Sequence, residues 1–270
     1  MADKNEASGP TIQTPKDHAA PSVFRPENLL REARRQKRLP DVPVPEICVL
    51  DPDGDLVRHL RRTGRGTEDP GWPCYHTALT LFAAGGERMG AIPNAVGAPF
   101  AVLVAEQLFA AGCQLLISIT SAGQIAPAAA LPYFVLIDRA LRDEGTSAHY
   151  LPPSPFVAAP AHLVAPIAAG LGAMQPPVVR GAVWTTDAPF RETEAAIAHA
   201  RAAGALAVEM EAAALYAFAT ARRRNVVCFA HVTNQLAQVE GDFEKGEADG
   251  AAEALRLLAL TAQAWRRSRS

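Results

Sequence analysis

The sequence lacks the short motifs that mark the commonest cofactor and nucleophile chemistries. It contains no GxxxxGKS/T and no GxGxxG, so neither a P-loop nor a dinucleotide fingerprint is present. It has no HExxH and no His/Cys spacing suited to zinc, which removes the usual routes to a metal centre. It has no GxSxG, the turn that presents the serine of an α/β-hydrolase. Cysteine is scarce: Cys48, Cys74, Cys113 and Cys228 are far apart and form no CxxC. Three of them sit in apolar runs, the signature of buried thiols in a reducing compartment. An excess of basic charge is missing too, with 26 Lys and Arg against 28 Asp and Glu. Outside Arg31–Arg38 and Arg266–Arg269 the cations are scattered, so no nucleic-acid partner is expected. No apolar run reaches membrane-spanning length, and the N-terminus MADKNEASGP is polar, unlike a secretory leader. A cytoplasmic protein with no membrane partner is expected.

What is present is a chain of 270 residues, 49% of them apolar, enough for one large α/β domain. Residues 1–22 are polar and rich in Pro, Ser and Thr, and are expected as a disordered tail; residues 23–270 are expected as a single domain. Strands are predicted over 46–50, 76–84, 113–119, 132–137, 180–185, 205–209 and 225–234. Turns or loops are predicted over 51–55, 85–88 and 120–124. Helices are predicted over 94–112, 192–204 and 248–265, with Gly112 and Gly204 as stops. REARRQKR, residues 31–38, reads as a short solvated helix or loop. Strands alternate with helices and several strands are apolar throughout. The predicted fold is a three-layer α/β/α sandwich around a mixed, largely parallel sheet. Sites in such folds gather at the carboxyl ends of strands.

One segment resists a purely structural reading. AVEMEAAALYAFA, residues 207–219, carries Glu209 and Glu211 inside an apolar run. On a helix, Glu211 shares the face of Leu215 and Phe218, while Glu209 points away. A carboxylate on a buried face needs partners. An acid in the first turn of a helix is also favoured by the macrodipole, so geometry alone leaves both explanations open.

Four stretches together resemble the nucleoside phosphorylase family, its uridine-phosphorylase-like branch in particular. They are ISITSAGQI (117–125), DRALRDEGTSAHYLPPS (138–154), GAVWTTDAPFRET (181–193) and GALAVEMEAAALYAFA (204–219). Their order and spacing fit over roughly residues 45–265. The resemblance implies cleavage of a nucleoside's N-glycosidic bond, no cofactor beyond phosphate as a possible co-substrate, and a homo-oligomer (dimer, trimer or hexamer). It places Glu211 on the ribose 2′- and 3′-hydroxyls and Met210 under the sugar, with Glu209 contributing mostly through its backbone. Thr120 and Ser121 fall in the small-residue loop of the site. A carboxylate fixed beside a sugar that develops oxocarbenium character stabilises the charge. Trp184 falls where the family sets an aromatic against the base; the alternative is that it fills the core. Asn234 falls where purine-cleaving relatives carry an aspartate. An amide cannot protonate a leaving base but can donate and accept, which suits a 6-oxopurine or uracil.

The chain departs from the family at its phosphate grips. Leu56 stands where the first loop's arginine belongs, and Ser118 replaces a second. Arginine is the usual bidentate partner of phosphate. Either water is the acceptor, with Asp53 or Asp55 as general base, or phosphate is held from elsewhere, by Arg58, Arg142, Arg191 or a neighbouring subunit. An alternative from another class is a catalytically inactive nucleoside-binding sensor or assembly subunit.

Overall fold

The computed structural model describes residues 16–236 and 240–269. The first fifteen residues of the tail expected over 1–22 lie outside the described residues; in its remainder, His18 Nε2 lies 3.1 Å from the Ala148 carbonyl oxygen. The chain opens with helix α1 (Pro26–Lys37) and strand β1 (Ile47–Asp51), all of whose residues are buried. Helix α2 (Asp55–Arg62) and strand β2 (Gly66–Glu68) follow. A hairpin, β3 (Thr80–Ala84) and β4 (Glu87–Pro93), turns at Gly85–Gly86. Next come α3 (Ala98–Ala110), β5 (Leu115–Gln124), β6 (Tyr133–Asp143) and β7 (Phe156–Ala158). The second half holds α4 (Ala161–Leu171), β8 (Val178–Thr186), α5 (Glu194–Ala202) and β9 (Ala205–Glu209). It ends with α6 (Ala212–Arg222), β10 (Asn225–Asn234) and α7 (Ala251–Arg269).

The ten strands among the described residues belong to one mixed sheet. The long pairings are parallel: β10 on β5, and β6 on β8. Antiparallel contacts join β10 to β6 and β9 to β5. Following the pairs β5–β10–β6–β8–β9 returns to β5, so half of the sheet closes into a ring. Extra residues in β10, β6 and β9 shift the register and supply the local bending that closure requires. β1, β4, β3 and β2 extend outward from β5 as an open wing. The flanking helices form two packed groups, α1 with α3 and α6, and α2 with α4 and α7.

Several elements differ from expectation for readable reasons. Residues 120–124, expected as a loop of small residues, continue β5 to Gln124. Small side chains there serve close approach: a Cβ on Gly123 would come within 2.3 Å of Leu236 Cδ2. Residues 87–93, of which only the first two were assigned, to a turn, form β4. Helices α2 and α4 had no predicted counterpart; α4 carries Pro166 in its interior. The helix expected to carry Glu211 starts one residue later. Glu211 is its N-cap, and Ala212–Ala219 are buried on every side rather than along a stripe.

Candidate active site

The carboxyl ends of β1, β5, β8 and β9 and the starts of α2, α3 and α6 meet in one region. Three buried acids hold the helix starts. Asp51, the last residue of β1, accepts a 2.9 Å hydrogen bond from the Val57 N–H in the first turn of α2. Glu209, the last residue of β9, accepts from the N–H groups of Glu211 and Ala212, each at 2.8 Å. Glu211 reaches across to α3, where its Oε1 accepts from the Gly97 N–H at 2.7 Å. These are the orphan donors that every helix start leaves, and a carboxylate there also meets the positive end of the dipole.

Glu209 is fully engaged. The Thr185 hydroxyl donates to its other oxygen, and the Thr185 oxygen in turn accepts from the Ala213 N–H at 3.0 Å. Expected to contribute mostly through its backbone, it uses its side chain to build the start of α6. Burial pushes its carboxyl up to about 7, opposed by those hydrogen bonds.

Glu211 is 1% exposed, and its Oε2 is buried without a hydrogen-bond partner among the described residues. Burial, then the charge of Glu209, pushes its carboxyl up to about 8. The Gly97 N–H and the nearby Thr120 hydroxyl favour the charged form without closing on Oε2. An unsatisfied buried oxygen is costly and is a recognised mark of functional groups. Met210 lies between the two glutamates, half-buried.

Thr120 and Ser121 on β5 border a small cavity of about 30 Å³, room for one or two waters. Asp51, Asp53, Asp55, Asp249, His231 and Lys245 line it as well, and among the described residues no arginine does. Asp53 Oδ2 accepts from the Ser121 N–H at 2.8 Å and from its hydroxyl at 2.5 Å. Burial pushes the Asp51 carboxyl up to about 7, with Asp53 and Asp55 adding repulsion.

Asp55, the expected base, has both oxygens tied in ion pairs, to Lys245 at 2.6 Å and to Arg58 at 2.5 Å. Burial would raise its carboxyl, but those two cations hold it below the usual carboxylate range. A carboxylate so paired is a weak proton acceptor. None of the three arginines considered for phosphate lines this cavity. Arg58 is taken by Asp55. Arg142 staples the 147–154 segment through Ser147, Leu151, Pro152 and Ser154. Arg191 is exposed on the segment after β8.

Trp184, expected against a base, is 3% exposed and packs with Ile125, Leu141, Ala200, Ala205 and Val208. Its Nε1 donates to Asp143 at 3.0 Å. Thr185, its neighbour in β8, faces Glu209, so strand alternation turns Trp184 to the opposite side. Asn234 is opposite Gly123 across β10 and β5. Its Oδ1 accepts from the Leu236 N–H at 2.9 Å, an Asx turn, and its Nδ2 donates to Thr233 Oγ1.

The structure therefore groups Glu211, Thr120, Ser121 and Asp53, and adds Asp51, His231 and Lys245, which sequence reasoning missed. Asp51 was reachable, since strand ends carry sites in such folds. Lys245 reaches Asp55 across 190 residues, and no local pattern signals such a contact. His231 stood out only as one polar residue in an apolar strand. It stacks on Phe134 with ring centroids 4.4 Å apart.

Among the described residues, no helix is long and apolar enough to cross a membrane. A comparison with curated proteins finds no match. Solved structures with the same fold include a uridine phosphorylase from Vibrio fischeri ES114, at 18% identity and TM-score 0.66, over 84% of this chain and 93% of that one. The 5′-methylthioadenosine/S-adenosylhomocysteine nucleosidase from Neisseria meningitidis aligns at 17% identity and TM-score 0.65, over 80% of this chain and 98% of that one. Its counterpart from Campylobacter jejuni aligns at 15% identity and TM-score 0.65, over 83% and 99%. The model of the phosphorylase superfamily matches residues 46–264, and with that span covering the whole ring, the open wing and the Glu211 site, the chain belongs to this enzyme superfamily.

Proposed function

We propose that the protein hydrolyses the N-glycosidic bond of a nucleoside, with water rather than phosphate as acceptor. The observation that carries this reading is the wall of the cavity at Thr120–Ser121: among the described residues, four aspartates, a single lysine that is itself paired with Asp55, and no arginine. A phosphate dianion entering there meets like charge, whereas one water fits. The sugar is placed over Met210, with its hydroxyls on the unpartnered Oε2 of Glu211. As the bond between the anomeric carbon and the base nitrogen breaks, its electron pair leaves with the base and positive charge grows on the sugar. Glu211 as a carboxylate stabilises that charge. The water oxygen adds to the anomeric carbon, and its proton passes to Asp51, whose raised affinity suits neutral pH, and from there to the departing base. Asn234 keeps one amide hydrogen and one carbonyl lone pair beyond the bonds it makes, which supports a base of 6-oxopurine or uracil type.

Release of free base from inosine, uridine and adenosine, with and without phosphate, tests the proposal. Expected are turnover without phosphate, free pentose as product, and preference for inosine or uridine. Strict phosphate dependence with a sugar 1-phosphate as product overturns the acceptor; a clear adenosine preference overturns the base class.

A further inference from the structure

The turn between β1 and α2 carries three aspartates, yet they are not equivalent. Asp51 looks back to the start of α2 and Asp55 is paired with Arg58 and Lys245. Asp53 alone reaches β5. It is aimed by a tight turn: Gly54 has φ +75°, and a Cβ there would lie 2.5 Å from Asn94 Oδ1, so no other residue fits without displacement.

The groups that meet the Asp53 carboxylate are a backbone N–H and a hydroxyl, both from Ser121, and the ammonium of Lys245, 4.0 Å from the same oxygen. An N–H, an O–H and a cation converging on one oxygen are what an oxyanion seeks. His231 adds an independent sign that a ligand belongs here. It is the register partner of Ser121, so its ring shares that face of the sheet. It is 6% exposed, borders the same cavity, and keeps its Nε2 buried without a partner among the described residues. Burial, with Lys245 second, holds the ring below its usual range at about 4, so it stands neutral beside the carboxylate.

We infer that Asp53 is a tethered anion that sets the acceptor: its carboxylate occupies a cradle made by Ser121 and Lys245, and a free oxyanion of the phosphate class enters only when that carboxylate is removed. The inference rests on the hydrolytic reading and gives it a physical cause. A tethered group competes at an effective concentration in the millimolar range or above, and it adds a like charge against any dianion. Lys245 then supplies, from a segment far along the chain, the cation that Leu56 and Ser118 do not.

The test uses the full chain, inorganic phosphate as probe and no nucleoside. Phosphate is titrated by calorimetry into the wild type, Asp53→Ala, Asp53→Ser, and Asp53→Ala combined with Lys245→Met. Circular dichroism melts identify which variants fold, and Asp53→Ser replaces Asp53→Ala should the latter not. Expected is binding at least about tenfold tighter in the Asp53 variants than in the wild type, lost again on adding Lys245→Met. Wild-type binding as tight as the variants', folded Asp53 variants that bind no phosphate, or binding that survives Lys245→Met overturns the cradle. Turnover of the wild type with and without phosphate is read separately. Phosphate dependence there sinks the hydrolytic reading, whereas the titration judges Asp53 alone.

Discussion

Replacing Glu211 by Gln should change how stability depends on pH more than it changes stability itself. The wild-type carboxyl titrates at about 8 in the folded protein against 4.5 ordinarily, chiefly because it is buried. Between those values the folded state keeps a proton that the unfolded state has lost. The stability this group carries is therefore complete below pH 4.5 and lost as pH rises through about 8, at about 1.4 kcal/mol per pH unit. Gln is neutral throughout and escapes that loss. It can still accept from the Gly97 N–H through its carbonyl, and its amide replaces an oxygen that already lacks a partner. The two proteins should thus be of similar stability near pH 5 and diverge as pH rises, the variant gaining up to about 4 kcal/mol by pH 8. That figure is an upper bound, since Glu209 shares the proton. Asp51 and Glu209 titrate at about 7 and slope the same way in both proteins. His231, lowered to about 4, slopes the opposite way in both. Urea unfolding at pH 5, 6, 7 and 8 reads the divergence directly. Parallel stability profiles for wild type and Glu211→Gln would refute a protonated, solvent-excluded Glu211, and the site built around it.

Three further outcomes follow from the same geometry. Trp184→Phe loses the Asp143 hydrogen bond and part of a packed ring, and should cost about 1–3 kcal/mol in urea unfolding while leaving KM for nucleoside essentially unchanged; a large KM rise at unchanged stability would return the ring to the base site. Glu209→Ala strips partners from two backbone N–H groups and the Thr185 hydroxyl, each costing about 1–3 kcal/mol when buried and unsatisfied, so a measured loss below about 1 kcal/mol contradicts its place at the start of α6. Nucleoside binding near pH 7 should release a proton, because sugar hydroxyls donating to Glu211 favour its charged form; calorimetry in two buffers of different ionisation heat gives the number released, and identical heats would exclude the coupling.

Much of the architecture was legible because burial leaves a composition signal. β10 matches its predicted span, 225–234, because an unbroken apolar run with a polar tip has few other readings. Gly204, at φ +87°, stops α5 as glycine stops do. The failures have one cause: local sequence describes a segment, not what packs on it. TSAGQ carries small residues because Leu236 presses on Gly123, and this leaves it looking like a loop although β9 and β10 pair with it. Trp184 was set against the base by resemblance, with the core as its alternative, whereas the side it faces is decided by alternation against Thr185. Asp55 looked like a free acid because its two cations come from one turn away and from 190 residues away.

The two explanations left open for the Glu-Met-Glu stretch prove to be compatible, and the reason bears on how the site works. Each of its acids sits at a helix start, as the dipole argument required, but not at the same helix. Glu209 spends one oxygen on the start of α6 and the other on the Thr185 hydroxyl of β8, while Glu211, the N-cap residue of α6, spends only one oxygen, on α3. A carboxylate held by a single N–H at a fixed 2.7 Å keeps its orientation, and its second oxygen stays available. Capping and the proposed catalytic role thus draw on opposite edges of one side chain. Stability at that edge is what positions the other, so Glu211→Asp, one methylene shorter, cannot serve both. It should lose turnover even where its carboxylate still titrates high, because geometry rather than charge is what it lacks. A variant that kept wild-type kcat with the shorter acid would show that the bond to Gly97 is incidental to the reaction.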